Sequence, residues 1–413
     1  VLLNCSYFGG TTMFKLKENH TNTKTELLSG ITTFFTMVYI VVVNPVILAD
    51  AGVPFGQVFT ATIIAAVVAT LWMALFANYP IAIAPGMGLN AFFAYSVVGG
   101  HQGITYQTAF AAVFVAGVIF VILSLTPLRE KLIDAIPENL KHGITAGIGL
   151  FIAFIGLRLT KIITAHPTNL VGLGDLHSAS ALLALVGLAI TLVLMTLRVN
   201  GAIFFGMVIT GLIAFFTGQL EFSQGFMSLP TLPEGLIIAN PVTALTDVIQ
   251  HSLYAVVFSF ILVTIFDTTG TMIGVANQAG LMKDGKLPRA REALLADSIG
   301  TAVGAMFGTS PTTAYIESSS GVAAGGRTGL TSLTVAILFI LSAFFGPLVS
   351  SVSGISAITA PALIIVGSLM MGSIAKIRWN ELDEAFPAFL TVLSMPLTSS
   401  IATGIALGFI SYP

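Results

Sequence analysis

The chain has 413 residues, of which 55% are hydrophobic and only 8% charged, with 16 Lys+Arg, 18 Asp+Glu and a net charge of −2. An ordinary soluble domain is about 25% charged, because charged side chains are what coat a water-facing surface. This composition excludes a soluble enzyme, a nucleic-acid binder and a disordered chain, and leaves a polytopic protein whose partner is the lipid bilayer. The single cysteine, Cys5, excludes an intrachain disulfide and a thiolate metal cluster, and no cofactor is expected.

Residues 1–12 precede a natural start at Met13 and are set aside as an upstream extension. No cleavable signal peptide is expected, and the chain is expected to be truncated within its last apolar run. Residues 1–26 read as a cytoplasmic N-terminal segment. A spanning helix needs roughly 20 apolar residues. The runs near that length lie at 27–49, 57–77, 107–126, 139–157, 178–197, 200–217, 251–274, 292–307, 329–350, 356–375, 384–397 and 398–413. Two further segments, 79–98 and 309–325, are apolar but interrupted by proline and glycine.

Cytoplasmic loops carry an excess of Lys and Arg. With the N-terminus inside and all segments counted as crossings, 14 of the 16 basic residues fall inside, and only Arg158 and Lys161 fall outside. Segment 218–250 has no Lys or Arg, as an external connecting loop should. Dropping either interrupted segment reverses the later loops and destroys the asymmetry. The predicted fold is therefore all-α, with 14 transmembrane segments in two inverted seven-segment repeats, 27–217 and 251–413. Inverted repeats are the usual architecture of secondary transporters.

The interrupted segments are the third crossing of each repeat. One contains Ala84-Pro85-Gly86-Met87-Gly88-Leu89-Asn90-Ala91-Phe92 and the other Gly308-Thr309-Ser310-Pro311-Thr312-Thr313-Ala314-Tyr315-Ile316-Glu317-Ser318. Proline prevents a regular helix at the start of each. Extended backbone survives in a bilayer only where protein or a watery cavity satisfies it. We expect a short extended strand followed by a half-helix in each, with the half-helix N-termini meeting near the midplane and Asn90 and Glu317 one turn in. Simple kinks used for packing are the alternative reading.

A carboxylate at the centre of a span costs roughly 2.5–3.5 kcal/mol, so its presence points to function. Asp267 lies well inside the eighth crossing and Glu317 in the tenth. Asp297, nearer the end of the ninth, reads as a helix-end acid that snorkels or caps. The histidines have no metal-ligand spacing. Gly172-Leu173-Gly174-Asp175 matches an intramembrane aspartyl protease pattern, but Asp175 lies in a loop and no Tyr-Asp partner exists in the chain. No Walker A loop is present, so an ion gradient or passive flow must supply the energy.

Phe266-Asp267-Thr268-Thr269-Gly270-Thr271, Ala296-Asp297-Ser298, the Gly308–Ser318 stretch, Gly326-Arg327-Thr328-Gly329-Leu330 and the Ala84–Phe92 stretch together resemble the AzgA-like purine permeases of the nucleobase:cation symporter-2 group. The likeness runs from about Met13 to the end. It implies a core domain of about 27–126 plus 251–350 and a gate domain of about 139–217 plus 356–413. It implies import of hypoxanthine, guanine or adenine with a co-transported proton across the cytoplasmic membrane. It also implies essential roles at Asn90, Asp267 and Glu317, the same three residues singled out by their position in the segments.

A flat neutral purine needs a small dry pocket with a few aimed polar groups and an apolar or aromatic face. Asp267 and Glu317 are expected to accept from ring N–H groups and to carry the proton. Backbone N–H groups near Asn90 and Ser318 are expected to donate to the ring. Phe266, Phe92 or Tyr315 is expected to stack. Uracil, xanthine or an inorganic anion on the same architecture is the nearest alternative cargo, although two acids disfavour an anion. A channel would not need paired titratable groups, and a membrane enzyme lacks a nucleophile–base pair. A homodimer is compatible with the sequence.

Overall fold

The computed structural model describes residues 13–100, 103–127, 136–231, 233, 235–283 and 286–413. The set-aside residues 1–12 with Cys5, and His101, Arg129 and Lys131 among the residues weighed above, lie outside the described residues. Asn22 opens the first long helix: its side chain accepts from the Thr25 amide, and helix runs over Thr23–Met37 and Ile40–Ala49. Among the described residues, eight helices are long and apolar enough to cross a membrane by length and composition, and three shorter apolar helices accompany them. The structure is mostly helical and of the polytopic membrane type.

The first crossing thus begins earlier than expected, and Glu26, assigned above to the cytoplasmic segment, is fully buried in its first turn. Its carboxylate accepts from the amides of Arg327 (2.8 Å), Thr328 (3.3 Å) and Thr331 (3.3 Å) and from the Thr331 hydroxyl (2.6 Å). The Arg327 and Thr328 amides just precede the helix Gly329–Ser342, where no turn of that helix can satisfy them, and the Thr331 amide in its first turn also donates to the Thr328 carbonyl (3.2 Å). A carboxylate near the chain start therefore caps a helix some 300 residues later, and negative charge also suits the positive helix end.

The two interrupted segments do contain short strands, Ile83–Pro85 and Thr312–Ala314, each followed by a short helix, Met87–Ala91 and Ser318–Ala323. The strands pair antiparallel with each other, Ile83 opposite Ala314 and Pro85 opposite Thr312. The ladder extends at both ends, from the Gly86 amide to the Pro311 carbonyl and from the Tyr315 amide to the Ala82 carbonyl, each 3.0 Å. Side chains of the flanking helices satisfy the outer edges. Thr70 accepts from the Ile83 amide (3.0 Å) and donates to its carbonyl (2.9 Å). Thr301 accepts from the Thr312 amide (3.1 Å), and Ser332 donates to the Tyr79 carbonyl (2.6 Å).

Asp297 neither snorkels nor caps its own helix. It is fully buried, and its two oxygens accept from Thr312 (2.8 Å) and Thr268 (2.5 Å). It brackets the strand Thr312–Ala314 against the helix Tyr254–Gln278.

Around this centre, Ala290–Phe307 packs against Tyr106–Leu125 and Phe55–Trp72, and Gly329–Ser342 packs against Thr23–Met37 and Phe55–Trp72. A second set of contacts joins Glu138–Leu159 to Ser356–Met370 and Leu382–Thr398, and Ala179–Thr196 to Ala202–Phe216 and Ser356–Met370. Small residues set these distances: a Cβ on Gly367 would lie 2.3 Å from the Gly149 carbonyl oxygen, so the two helices touch backbone to backbone.

Two segments read as loops carry structure. Residues 218–250 include the helix Pro241–Gln250, which buries Ala244 and Val248 and packs on Tyr106–Leu125. Ten residues with one apolar stripe are too short to register as a span. The segment after Arg158 forms a hairpin, Ile163–His166 with Leu170–Leu173, and its residues are largely exposed. Gly172 and Leu173 of the protease-like pattern lie in this hairpin, away from any span.

Replacing Glu26 by Ala should strand the Arg327 and Thr328 amides in the interior and cost roughly 2–3 kcal/mol. A thermal unfolding midpoint in detergent equal to that of the unaltered protein would overturn this account of the cap.

Candidate functional site

A cavity of about 400 Å³ lies where the paired strands meet the helices Met87–Ala91 and Tyr254–Gln278. Asp267 reaches it from just beyond the buried stretch Leu262–Ile265, whose apolar neighbours hold the helix in place. Tyr315 and Glu317 reach it from the turn after the strand Thr312–Ala314. Thr313, inside that strand, hydrogen-bonds the Asp267 carboxyl. The Tyr39 hydroxyl donates to Glu317 Oε1 at 2.6 Å, and the Tyr315 hydroxyl donates to the Pro85 carbonyl at 2.5 Å. Thr145 from the helix Glu138–Leu159, and Val366, Leu369 and Met370 from Ser356–Met370, close the opposite side. The wall thus presents two carboxyls, several hydroxyls, two tyrosine rings and an apolar face. Its described lining residues include no Lys, Arg or His.

Three of the seven residues expected at the site, Asp267, Tyr315 and Glu317, stand together in this wall. The other four do not line it. Asn90 is fully buried and donates to Asn44 at 3.0 Å; Asn44 in turn donates to Thr62 (2.7 Å) and Thr309 (2.8 Å). Asn90 therefore ties its short helix to the helix Ile40–Ala49 and to the start of the second interrupted segment. Ser318 is also turned inward: its hydroxyl accepts from the Ala82 amide (3.0 Å), and its amide is held by the Tyr315 carbonyl (3.1 Å). Phe92 is buried edge-on against Phe260, with ring centroids 5.0 Å apart. Phe266 packs on the apolar core.

Glu317 stands at the N-cap of its short helix, not one turn in, because the strand runs on to Ala314 and a tight turn at Ile316–Glu317 precedes the helix. The sequence reading missed Tyr39, Thr313 and Thr145. Tyr39 carried a usable signal, since a tyrosine inside an apolar span must find a partner for its hydroxyl.

A second cavity, of about 600 Å³, lies beyond the far end of the Met87–Val98 stretch. There the Tyr95 hydroxyl donates to Asp50 Oδ2 (2.6 Å), and the Arg158 guanidinium lies 5.0 Å from the Tyr95 ring centroid. The Ser96 hydroxyl donates to the Ser399 carbonyl (2.5 Å). These contacts bridge the two sets of packed helices.

A family model described as the permease family matches residues 24–407. The guanine/hypoxanthine permease PbuO of Bacillus subtilis is 73% identical over 402 residues, which cover 97% of this chain and 93% of that protein. The adenine permease AdeQ of Escherichia coli is 46% identical over 401 residues, covering 97% of this chain and 89% of that protein. Among solved structures, the transmembrane domain of the cyanobacterial bicarbonate transporter BicA superposes with a TM-score of 0.65. It is 17% identical, covering 95% of this chain and 97% of that domain, a likeness of fold alone. The chain therefore belongs to the permease family, in its nucleobase:cation symporter-2 group, and is a membrane transporter rather than an enzyme.

Proposed function

We propose that the protein imports purine bases, hypoxanthine and guanine first and adenine as the further candidate, across the cytoplasmic membrane together with protons. The observation that carries this reading is the meeting of Asp267 and Glu317 in one small cavity with tyrosine rings and no basic side chain. The names of the similar permeases support the substrate class.

A cavity of about 400 Å³ suits a flat bicyclic base. Asp267 accepts from a ring N–H, and Glu317 does so or carries the proton. Threonine hydroxyls at 145, 271 and 313 donate to ring nitrogens or a ring carbonyl. Tyr39 and Tyr315 offer the flat faces, in place of the phenylalanines. A proton on Glu317 together with a neutral base leaves less uncompensated charge in the apolar interior, which favours crossing with both bound. One proton moving down about 150 mV releases roughly 3.5 kcal/mol, enough for about 300-fold accumulation of a neutral base.

On this reading, 27–126 with 251–350 form the core domain, 139–217 with 356–413 the gate domain, and the two move against each other. With the N-terminus inside, Arg158 lies on the external side. Its contact with Tyr95 and Asp50 then acts as an outer latch that breaks when the site opens outward. An anion on the same fold is disfavoured, since two carboxyls in a wall without basic groups repel it.

Competition by unlabelled bases against labelled hypoxanthine, with and without a protonophore, tests the assignment. Displacement by uracil or sulfate but not guanine would overturn it. Glu317→Gln should abolish hypoxanthine accumulation in vesicles bearing a pH gradient; full proton-driven uptake would remove Glu317 from coupling. Asp267→Asn should lose binding, so undiminished guanine competition would exclude Asp267 from the site. Arg158→Gln should speed labelling of a cysteine placed at Ser400 by a membrane-impermeant thiol reagent. Unchanged labelling would dismiss the latch.

A further inference from the structure

We propose that the proton on Glu317 reaches the cytoplasm through a crevice of its own, separate from the cavity that takes the base, with Arg198 at its mouth. This inference rests on the proton-coupled reading above.

Glu317 stands in the walls of two distinct cavities. The first is the acidic cavity. The second, about 270 Å³, is lined by Thr36, Arg198, Asn200, Gly201 and Ser320 among others, and Glu317 is the one residue the two walls share among the described residues. Thr36 donates to the Glu317 carbonyl at 3.3 Å, which ties the acid to the helix Thr23–Met37. The loop 198–201 seals tightly against the same helix. Gly201 adopts a left-handed conformation (φ 79°), and a Cβ there would lie 2.8 Å from the Phe35 carbonyl oxygen. The crevice lies between this loop and the turn of the second interrupted segment.

A proton moves along a few waters and hydroxyls, and the crevice holds several waters. Thr36, Asn200 and Ser320 are polar stations along its wall. Arg198 is exposed, and no ion pair engages it among the described residues. A guanidinium near a carboxyl favours the ionised form and so favours proton release. The other groups facing Glu317 are Tyr39, which donates to it, Tyr315 on its own turn, and Asp267 across the first cavity, whose negative charge opposes ionisation. Arg198 stands in the crevice wall on the side where the proton departs.

The arrangement separates two activities. Exchange of internal for external base returns the carrier with proton and base both bound, so it needs no deprotonation. Net uptake needs the proton to leave Glu317 in every cycle. The test uses proteoliposomes of the whole protein, with Ser320→Leu to fill the crevice and Arg198→Gln to remove the charge at its mouth. Both variants should exchange labelled for unlabelled hypoxanthine at the wild-type rate. Proton-driven accumulation should fall about tenfold, the equivalent of one pKa unit at the release step. Accumulation at the wild-type rate in both variants, or exchange that falls in step with accumulation in Arg198→Gln, would overturn the separate route. Arg198 lies on an exposed loop, so its variant carries the test if Ser320→Leu folds poorly. A wild-type protein that shows no proton-driven accumulation would instead sink the symport reading itself.

Discussion

Two pieces of extended backbone lie within an otherwise helical, apolar protein, and their amides and carbonyls have no water to turn to. The structure meets this constraint by pairing the strands Ile83–Pro85 and Thr312–Ala314 with each other and lining their edges with Thr70, Thr301 and Ser332. Much of the rest follows from that requirement. Strand pairing brings together two segments more than 200 residues apart and forces the chain to leave each strand in a turn. The cavity forms at those turns, where the ladder ends and helix has just begun.

Four buried or part-buried acids meet different fates around this ladder. Asp297 is fully buried, and both its oxygens accept from threonine hydroxyls. Glu26 does the same with backbone amides and so ties the first helix to the one at Gly329–Ser342. Asp267 and Glu317 are each given a single side-chain hydroxyl partner, Thr313 and Tyr39, and keep a face on the cavity. Unspent acceptor capacity and partial exposure together separate the candidate binding acids from the two fully buried structural ones.

The polar residues around Asn90 illustrate the same economy from the other side. Asn90, Asn44, Thr62 and Thr309 form a hydrogen-bonded cluster that joins four segments. Such a cluster fixes the short helix Met87–Ala91, whose Met87 and Gly88 face the cavity. A residue can thus shape a site without touching what the site holds.

The sequence alone determined the class of protein, the position of nearly every helix and the two interruptions, because hydropathy, proline and glycine act locally and a bilayer tolerates few exceptions. It also singled out Asp267 and Glu317, since an acid in a span is conspicuous whatever surrounds it. It could not reveal that the first strand pairs with the second, that Glu26 caps a helix from the far side of the chain, or that Tyr39 rather than Phe92 faces the cavity. Those depend on which side chains meet across 200 or 300 residues and on rotations of a helix by a fraction of a turn. Pairing of this kind is settled only when the whole chain packs and every buried polar group must find its partner.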